Sequence, residues 1–146
     1  MKDINHHAPV KCSMKIIISE SGKKVWEVLT DINKWPDWQT DIKTAKLNGA
    51  LKEGTSFDWK TGGAKIHSRL HTVNPYLQFG WTGKTFGMSA IHNWTLTEED
   101  GKTVVEVKES LTGIAASLFK KLFNKNLETG MQHWLELLKT ACERKP

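Results

Sequence analysis

Two polar residues lie among apolar ones on neighbouring predicted strands, and their types suit acid–base chemistry. His92 falls in the alternating segment Gly87–Thr97, and Glu109 falls in the next segment, Lys102–Leu111. If the loop Glu98–Gly101 joins these segments as a hairpin, both side chains project from one apolar face, diagonal to each other. An imidazole and a carboxylate held in this way could act as general acid and base on a carbonyl substrate. The alternative is a structural pair, in which each group satisfies the other or the helix backbone.

Many large side chains are expected on the same face as His92 and Glu109. The pairs expected near the hairpin turns are Thr97 with Lys102, Thr82 with Gly87, and His71 with Tyr76. This pairing makes one face of the sheet apolar and the other polar, as a half-buried sheet requires. The residues predicted to contact a ligand are Phe57, Trp59, Ser68, Leu70, Leu77, Phe79, Trp81, Met88, Ala90, His92, Trp94, Val107, Glu109, Leu127, Met131 and Trp134. The competing interpretation is that these side chains only pack the core.

The spacing of apolar residues predicts one strand, two short helices, a series of strands and one long final helix. Val10–Ser19 alternates between apolar and polar residues, as a strand with one buried face does. From Thr112 to Glu143 the period is that of a helix. Gly130 lies inside this helix, where it is expected to allow a bend or a close approach of the sheet. The other predicted elements are helices at Gly22–Asp31 and Asn33–Gln39, and strands at Ile42–Leu47, Ser56–Lys60, Ala64–Val73, Tyr76–Thr82, Gly87–Thr97 and Lys102–Leu111.

One amphipathic helix must cover the apolar face of this broad sheet. Because sheets twist and curve, the sheet is expected to wrap around the helix. A single helix fills a concave surface poorly, so a cavity with apolar walls and few polar groups is expected between them. The predicted fold class is α+β: a curved antiparallel sheet of about seven strands around a long C-terminal helix, with two short helices after the first strand. Trp35 and Trp38 are expected to anchor the second short helix, which could also form a lip of the cavity.

This order of elements resembles the START-related, pollen-allergen-like helix-grip superfamily, and within it the polyketide cyclase/dehydrase and lipid-transport branch. The similar segments are Val25–Asp31, Trp35–Trp38, Leu51–Phe57, Val73–Pro75, Leu77–Gly83, Ala90–Trp94, Glu109–Gly113 and Trp134–Lys139. The resemblance covers Cys12 to Glu143 and implies the helix-grip fold. The fold hosts carriers, cyclases, receptors and protein-binding modules, so it does not choose among them. The family supplies no universal catalytic motif that could be carried over to this chain.

Length and composition favour a single domain over residues 1–146, with residues 1–9 flexible. The polar start of the chain argues against a signal peptide, and no segment is apolar enough to span a membrane. We therefore expect a cytoplasmic protein in which Cys12 and Cys142 are reduced thiols. The net charge of +5 is spread over single lysines and the pair Lys120-Lys121, which argues against a nucleic-acid partner.

The polar face of the sheet and the start of the chain carry weaker signals. His67, Arg69 and His71 alternate on the outer face, as an anion or partner site or as a solvated surface would. The pair His6-His7 does not complete a metal site, so no metal and no cofactor are predicted.

The leading function predicted from the sequence is binding of a hydrophobic small molecule, such as a lipid, a polyketide or an aromatic compound. A cyclase or dehydratase using His92 and Glu109, and a protein- or ribosome-interacting module, remain as alternatives.

Overall fold

The structure, a computed structural model, describes residues 1–145. In chain order its elements are β1 (Val10–Ile18), α1 (Gly22–Thr30), a 3-10 turn (Ile32–Lys34), α2 (Trp35–Trp38), β2 (Ile42–Leu47), β3 (Ser56–Thr61), β4 (Ala64–Asn74), β5 (Gln78–Thr85), β6 (Met88–Glu99), β7 (Lys102–Thr112), α3 (Ile114–Leu118) and α4 (Lys120–Glu143). The strands form one antiparallel sheet in the order β1-β7-β6-β5-β4-β3-β2. The predicted α+β helix-grip fold is confirmed, with a curved seven-stranded sheet around α4 and two short helices after β1.

The predicted strand register is wrong in each of the three hairpins that join β4 to β7. The turns Phe86-Gly87 and Asp100-Gly101 have two residues each, all with positive φ, whereas longer loops were predicted. Residues 83–86, predicted as a turn, therefore mostly extend β5. As a result, Trp94 faces Val107 rather than Val105, and Phe79 faces Trp94 rather than Ala90. In the β4–β5 hairpin, a turn at residues 75–77 and a bulge between Leu70 and Thr72 make Leu70 face Trp81 rather than Leu77. Each shift is by an even number of residues, so the predicted inner and outer faces are preserved.

The single long helix predicted from Thr112 is divided in two. β7 continues through Thr112, and Phe119, with φ −115° and ψ 35°, separates α3 from α4. The expected close approach of the sheet at Gly130 is also wrong, because a Cβ built there meets no heavy atom within 4 Å. Among the helices of residues 1–145, none is long and apolar enough to cross a membrane.

The first nine residues, which the sequence predicts to be flexible, cross the outer face of the sheet. Ile4 and Ala8 are each only 8% exposed. The Asn5 backbone N–H donates to Ser110 Oγ at 3.0 Å, and Asn93 Nδ2 donates to the Lys2 carbonyl at 2.7 Å. The segment therefore covers part of the face that was expected to be fully solvated.

Candidate functional site

His92 and Glu109 lie directly opposite each other on β6 and β7, not diagonally as predicted. The correction follows from the shorter turn, which moves the pairing by two residues. His92 Nδ1 and Glu109 Oε1 are 2.9 Å apart, and the two side chains are 7% and 16% exposed. The imidazole also stacks on the Trp81 indole, with ring centroids 4.4 Å apart and planes 7° from parallel. The carboxylate and the indole together hold the imidazole in one orientation.

A cluster of aromatic rings fills most of the space between the sheet and α4. Trp35 lies at its centre and is fully buried, with ring centroids 5.3 Å from Trp134 and 5.5 Å from Trp81. The 3-10 turn and α2 carry Trp35 into the core, where its Nε1–H donates to the Leu29 carbonyl at 2.9 Å. Trp35 is thus a core residue rather than part of a lip around the cavity. The cluster contains six of the seven Trp residues, all except Trp38, and so explains most of the high Trp content of the chain.

A cavity of about 160 Å³ remains between this cluster and α4. Of the residues predicted to contact a ligand, those that line it are Trp59, His92, Trp94, Val107, Glu109, Leu127, Met131 and Trp134. The lining residues that sequence reasoning missed are Gln39, Asp41, Thr61, Asn126 and Gly130. Most of these are polar and lie at element ends, where apolar periodicity gives no signal. Gly130 was identified only as an irregularity of the helix.

The other predicted ligand residues lie elsewhere. Phe57, Leu70, Phe79 and Trp81 are at most 1% exposed and pack the core without lining the cavity. Leu77 is wrongly assigned, because it precedes β5 in a turn and is 53% exposed.

The small predicted residues, and Met88, take other roles. Ser68 Oγ accepts a hydrogen bond from Trp59 Nε1 at 3.0 Å. Met88 packs with Val10 and Ala116 in a second apolar cluster beneath α3. Ala90 pairs with Gly83 and Leu111, two residues before His92 on β6, and does not line the cavity.

Three residues that line the cavity each have a buried ring nitrogen with no hydrogen-bond partner among the described residues. These nitrogens are His92 Nε2, Trp94 Nε1 and Trp134 Nε1. Their rings are mutual neighbours, with centroids 5.4 Å apart for His92 and Trp94 and 5.8 Å apart for the other two pairs. A buried polar group without a partner costs about 1–3 kcal/mol. Trp35 and Trp59 show the usual alternative, since both of their indole N–H groups donate within the protein.

Two of the hollows on the outer face of the sheet are larger than this cavity, but their character is different. They measure about 470 and 390 Å³ and share His67 and Lys84 on their walls. His67 Nδ1 lies 2.7 Å from Asp58 Oδ1, and this hydrogen bond holds the pKa of the Asp58 carboxyl below its usual value. Because most of the residues that line these hollows are polar or basic and the hollows lie on the open outer face, they suit a hydrophobic ligand less well than the cavity under α4 does.

The family profile described as "Polyketide cyclase / dehydrase and lipid transport" matches residues 9–143. No curated protein sequence matches the chain. Similar solved structures include a hypothetical protein from Helicobacter pylori, with a TM-score of 0.85 and 19% identity over 98% of each chain. The Zhui aromatase/cyclase from Streptomyces sp. R1128 has a TM-score of 0.80 and 13% identity over 92% of this chain and 93% of that one.

A START superfamily protein from Mycobacterium smegmatis is similar too, with a TM-score of 0.78 and 11% identity. The match covers 91% of this chain and 97% of that chain. At these identities the likeness establishes a shared fold, while the ligand and the chemistry have to be argued from the cavity itself.

Proposed function

Because the chain belongs to the polyketide cyclase/dehydrase and lipid-transport family, we propose that it binds a small hydrophobic molecule bearing an oxygen atom between the sheet and α4. The observation that carries the proposal is that His92, Trp94 and Trp134, which line one cavity, each have a buried ring nitrogen without a partner. A ligand oxygen would supply the partner that the protein does not.

The volume of the cavity limits the size of the ligand. Sites for drug-sized molecules usually measure about 300–1,000 Å³, whereas this cavity measures about 160 Å³. An apolar cavity of about 150 Å³ is large enough for benzene. The expected ligand is therefore a single aromatic ring or a short acyl chain, and a longer lipid or a fused polyketide would have to displace ring side chains.

The polar atoms of the wall limit the chemistry of the ligand. Each indole N–H can only donate, so Trp94 and Trp134 call for an acceptor such as a carbonyl, hydroxyl or carboxylate oxygen. Where His92 Nδ1–H donates to the Glu109 carboxylate, Nε2 of the neutral imidazole is an acceptor for a ligand hydroxyl. A phenol or a hydroxy-carbonyl compound meets both requirements.

The test compares two ligands that differ in one hydroxyl group, p-cresol and toluene. We expect p-cresol to quench the tryptophan fluorescence and to bind at least about tenfold more tightly than toluene, since only its hydroxyl oxygen can pair with the buried donors. In Trp134→Phe this preference should shrink, because the variant keeps a ring and loses the N–H. Trp38→Phe is the matched control, since Trp38 does not line the cavity. Equal binding of the two ligands, or binding of neither, would refute the proposal.

A second candidate function, a dehydratase or cyclase, is favoured by the 2.9 Å contact between His92 and Glu109. In the dehydratase reaction His92 Nε2 would take the proton from a carbon beside the substrate carbonyl. It would then return the proton to the departing hydroxyl, so that water leaves and a double bond forms. Glu109 would orient the imidazole and stabilise its cation.

Small β-hydroxy ketones that fit the cavity are the substrates to assay. An enzyme should lose turnover in both His92→Ala and Glu109→Gln while ligand binding, followed by fluorescence, is retained. If the wild-type protein binds these ketones without turning them over, the result would favour binding without catalysis.

A further inference from the structure

Five large apolar side chains are exposed at the end of the molecule where β5 turns into β6 and β7 leads into α3. They form what we call the exposed apolar patch, and they are 56% to 80% exposed: Phe86, Ile114, Leu118, Phe119 and Leu122. Single exposed apolar residues are ordinary, but a contiguous group marks an interaction surface.

The fold brings these residues together from separate segments of the chain. Phe86 occupies the β5–β6 turn, and Gly113, just before α3, lies against that turn. A Cβ at Gly113 would come within 2.7 Å of the Gly87 carbonyl oxygen, so the two backbones are in contact. α3 is fixed by Ala116, which is fully buried against Met88. Ile114 and Leu118, four residues apart on α3, share its outward face.

The backbone at Phe86 is a second sign that the patch has a role. Phe86 has φ +46°, a left-handed conformation that bulky residues rarely adopt. Asn or Gly is the usual choice at this position of a two-residue hairpin turn. The chain instead places a phenylalanine there and leaves its side chain 75% exposed. Folding alone therefore does not explain a phenylalanine at this position, whereas binding of its ring to another surface would.

The surroundings of the patch are basic. Lys84 precedes Phe86, and Lys120, Lys121 and Lys125 follow α3. Residues 78–97 and 110–127 contain no Asp and no Glu. None of these four lysines forms an ion pair within the part of the chain that the structure describes. Exposed apolar side chains flanked by free lysines are the pattern of a segment that lies in the headgroup region of an anionic bilayer.

We propose that the exposed apolar patch and its four lysines dock the protein on a membrane surface that contains anionic lipids. Charge decides against a second copy of the chain, because a symmetric dimer through this patch would bring the same lysines together. The proposal does not depend on the ligand of the cavity.

The patch lies beside the cavity. Leu127 lines the cavity and also packs against the apolar cluster of Val10, Met88 and Ala116 that supports α3. Thr61, at the end of β3, lines the cavity from the same end of the sheet, since β3 ends where β5 ends. A bilayer bound at the patch would therefore lie at the end of the sheet where Thr61 lines the cavity.

Flotation of the full chain with vesicles tests the proposal. We expect binding to phosphatidylcholine vesicles that contain phosphatidylglycerol, weaker binding at high salt, and little binding to phosphatidylcholine alone. Phe86→Asn should reduce the affinity by at least about tenfold through the lost apolar contact, without loss of thermal stability because Asn suits the turn. Lys120→Glu combined with Lys121→Glu should reduce it by at least about fivefold per lysine replaced.

The matched controls lie at the other end of the molecule. Ile17→Ser removes an exposed isoleucine (56% exposed) near the far end of β1, and Lys102→Glu reverses a charge at the β6–β7 turn. Both should bind anionic vesicles as the wild-type protein does. Three results would overturn the proposal: no binding to anionic vesicles, equal loss in the controls, or a concentration-dependent dimer that Phe86→Asn abolishes while vesicles stay unbound.

Discussion

The sequence singled out His92 and Glu109 as polar residues on the apolar face of the sheet, and in the structure their side chains are in contact. At 7% and 16% exposure, both groups have lost most of their contact with water. Buried pairs of this kind are a weak source of stability, because the desolvation penalty offsets much of the attraction. Stability alone is therefore a poor explanation for the pair, and the proposed binding of a ligand at His92 Nε2 is a better one.

A double-variant comparison tests this view of the pair. Glu109→Leu alone should destabilise the protein by about 2 kcal/mol, since it leaves His92 Nδ1 buried without a partner. Adding His92→Phe should recover most of that loss, because two apolar groups need no partner. Urea denaturation of the wild type, both single variants and the double variant measures the four free energies of unfolding. A double variant less stable than either single variant would show that the pair is structural.

The two cysteines differ in their expected reactivity. Burial raises the pKa of the Cys142 thiol to about 12, and the residue is fully buried in the core. Cys12 is only partly buried, and burial raises its pKa as well. Because the thiolate is the reactive form, iodoacetamide at pH 8 should modify Cys12 slowly and Cys142 only after denaturation. Mass spectrometry of tryptic peptides measures both, and early labelling of Cys142 in the native protein would contradict the buried placement.

At the scale of elements, the sequence predicted the strands and their faces well and their register poorly. Faces depend on alternation, which Val10–Ile18 and the β6–β7 hairpin show plainly. Register depends on where each turn begins. A two-residue turn usually has Asn, Asp or Gly at its first position, so Phe86 did not indicate that the β5–β6 turn has only two residues. For the same reason, only half of the residues predicted to contact a ligand line the cavity. Alternation shows which side chains point inward, but not whether a ring such as Trp81 fills the space or borders it.

The packing of the N-terminal segment against the sheet can be measured directly. Ile4→Ala should lower the free energy of unfolding by about 1–2 kcal/mol, less than a deep core site, since a terminal segment can detach on its own. Ile17→Ala is the control, because this side chain is 56% exposed and its loss should change little. Equal effects of the two variants in urea denaturation would support the flexible segment that the sequence alone predicts.

For the whole molecule, the pH dependence of stability should have two separate ranges. Burial lowers the pKa of His71 below its usual 6.5, so the unfolded chain binds this proton more readily than the folded one. The free energy of unfolding should therefore fall as the pH is lowered from 7 through about 6.5 and below, and His71→Gln should flatten this slope. The pKa values of Asp58 and Glu143 are lowered by their hydrogen bonds to His67 and Lys139, so their stabilisation should be lost only in stronger acid.

Urea denaturation at several pH values between 7 and 5 measures this dependence. An identical slope for wild type and His71→Gln would mean that the imidazole is not shielded from water by the strand and the N-terminal segment above it.

Gly130 lines the cavity, and a Cβ built there meets no heavy atom within 4 Å, so this one position affects how much of the cavity is free. Gly130→Ala should therefore raise the stability of α4 by about 0.8–1 kcal/mol and yet reduce the free volume of the cavity. Thermal stability and p-cresol affinity should consequently move in opposite directions, and Gly130→Leu should exclude the compound. Thr129→Ala, next to it but off the cavity wall, should raise stability with no change in affinity. A series of increasingly large side chains at residue 130 would then give an estimate of the largest ligand that the cavity accepts.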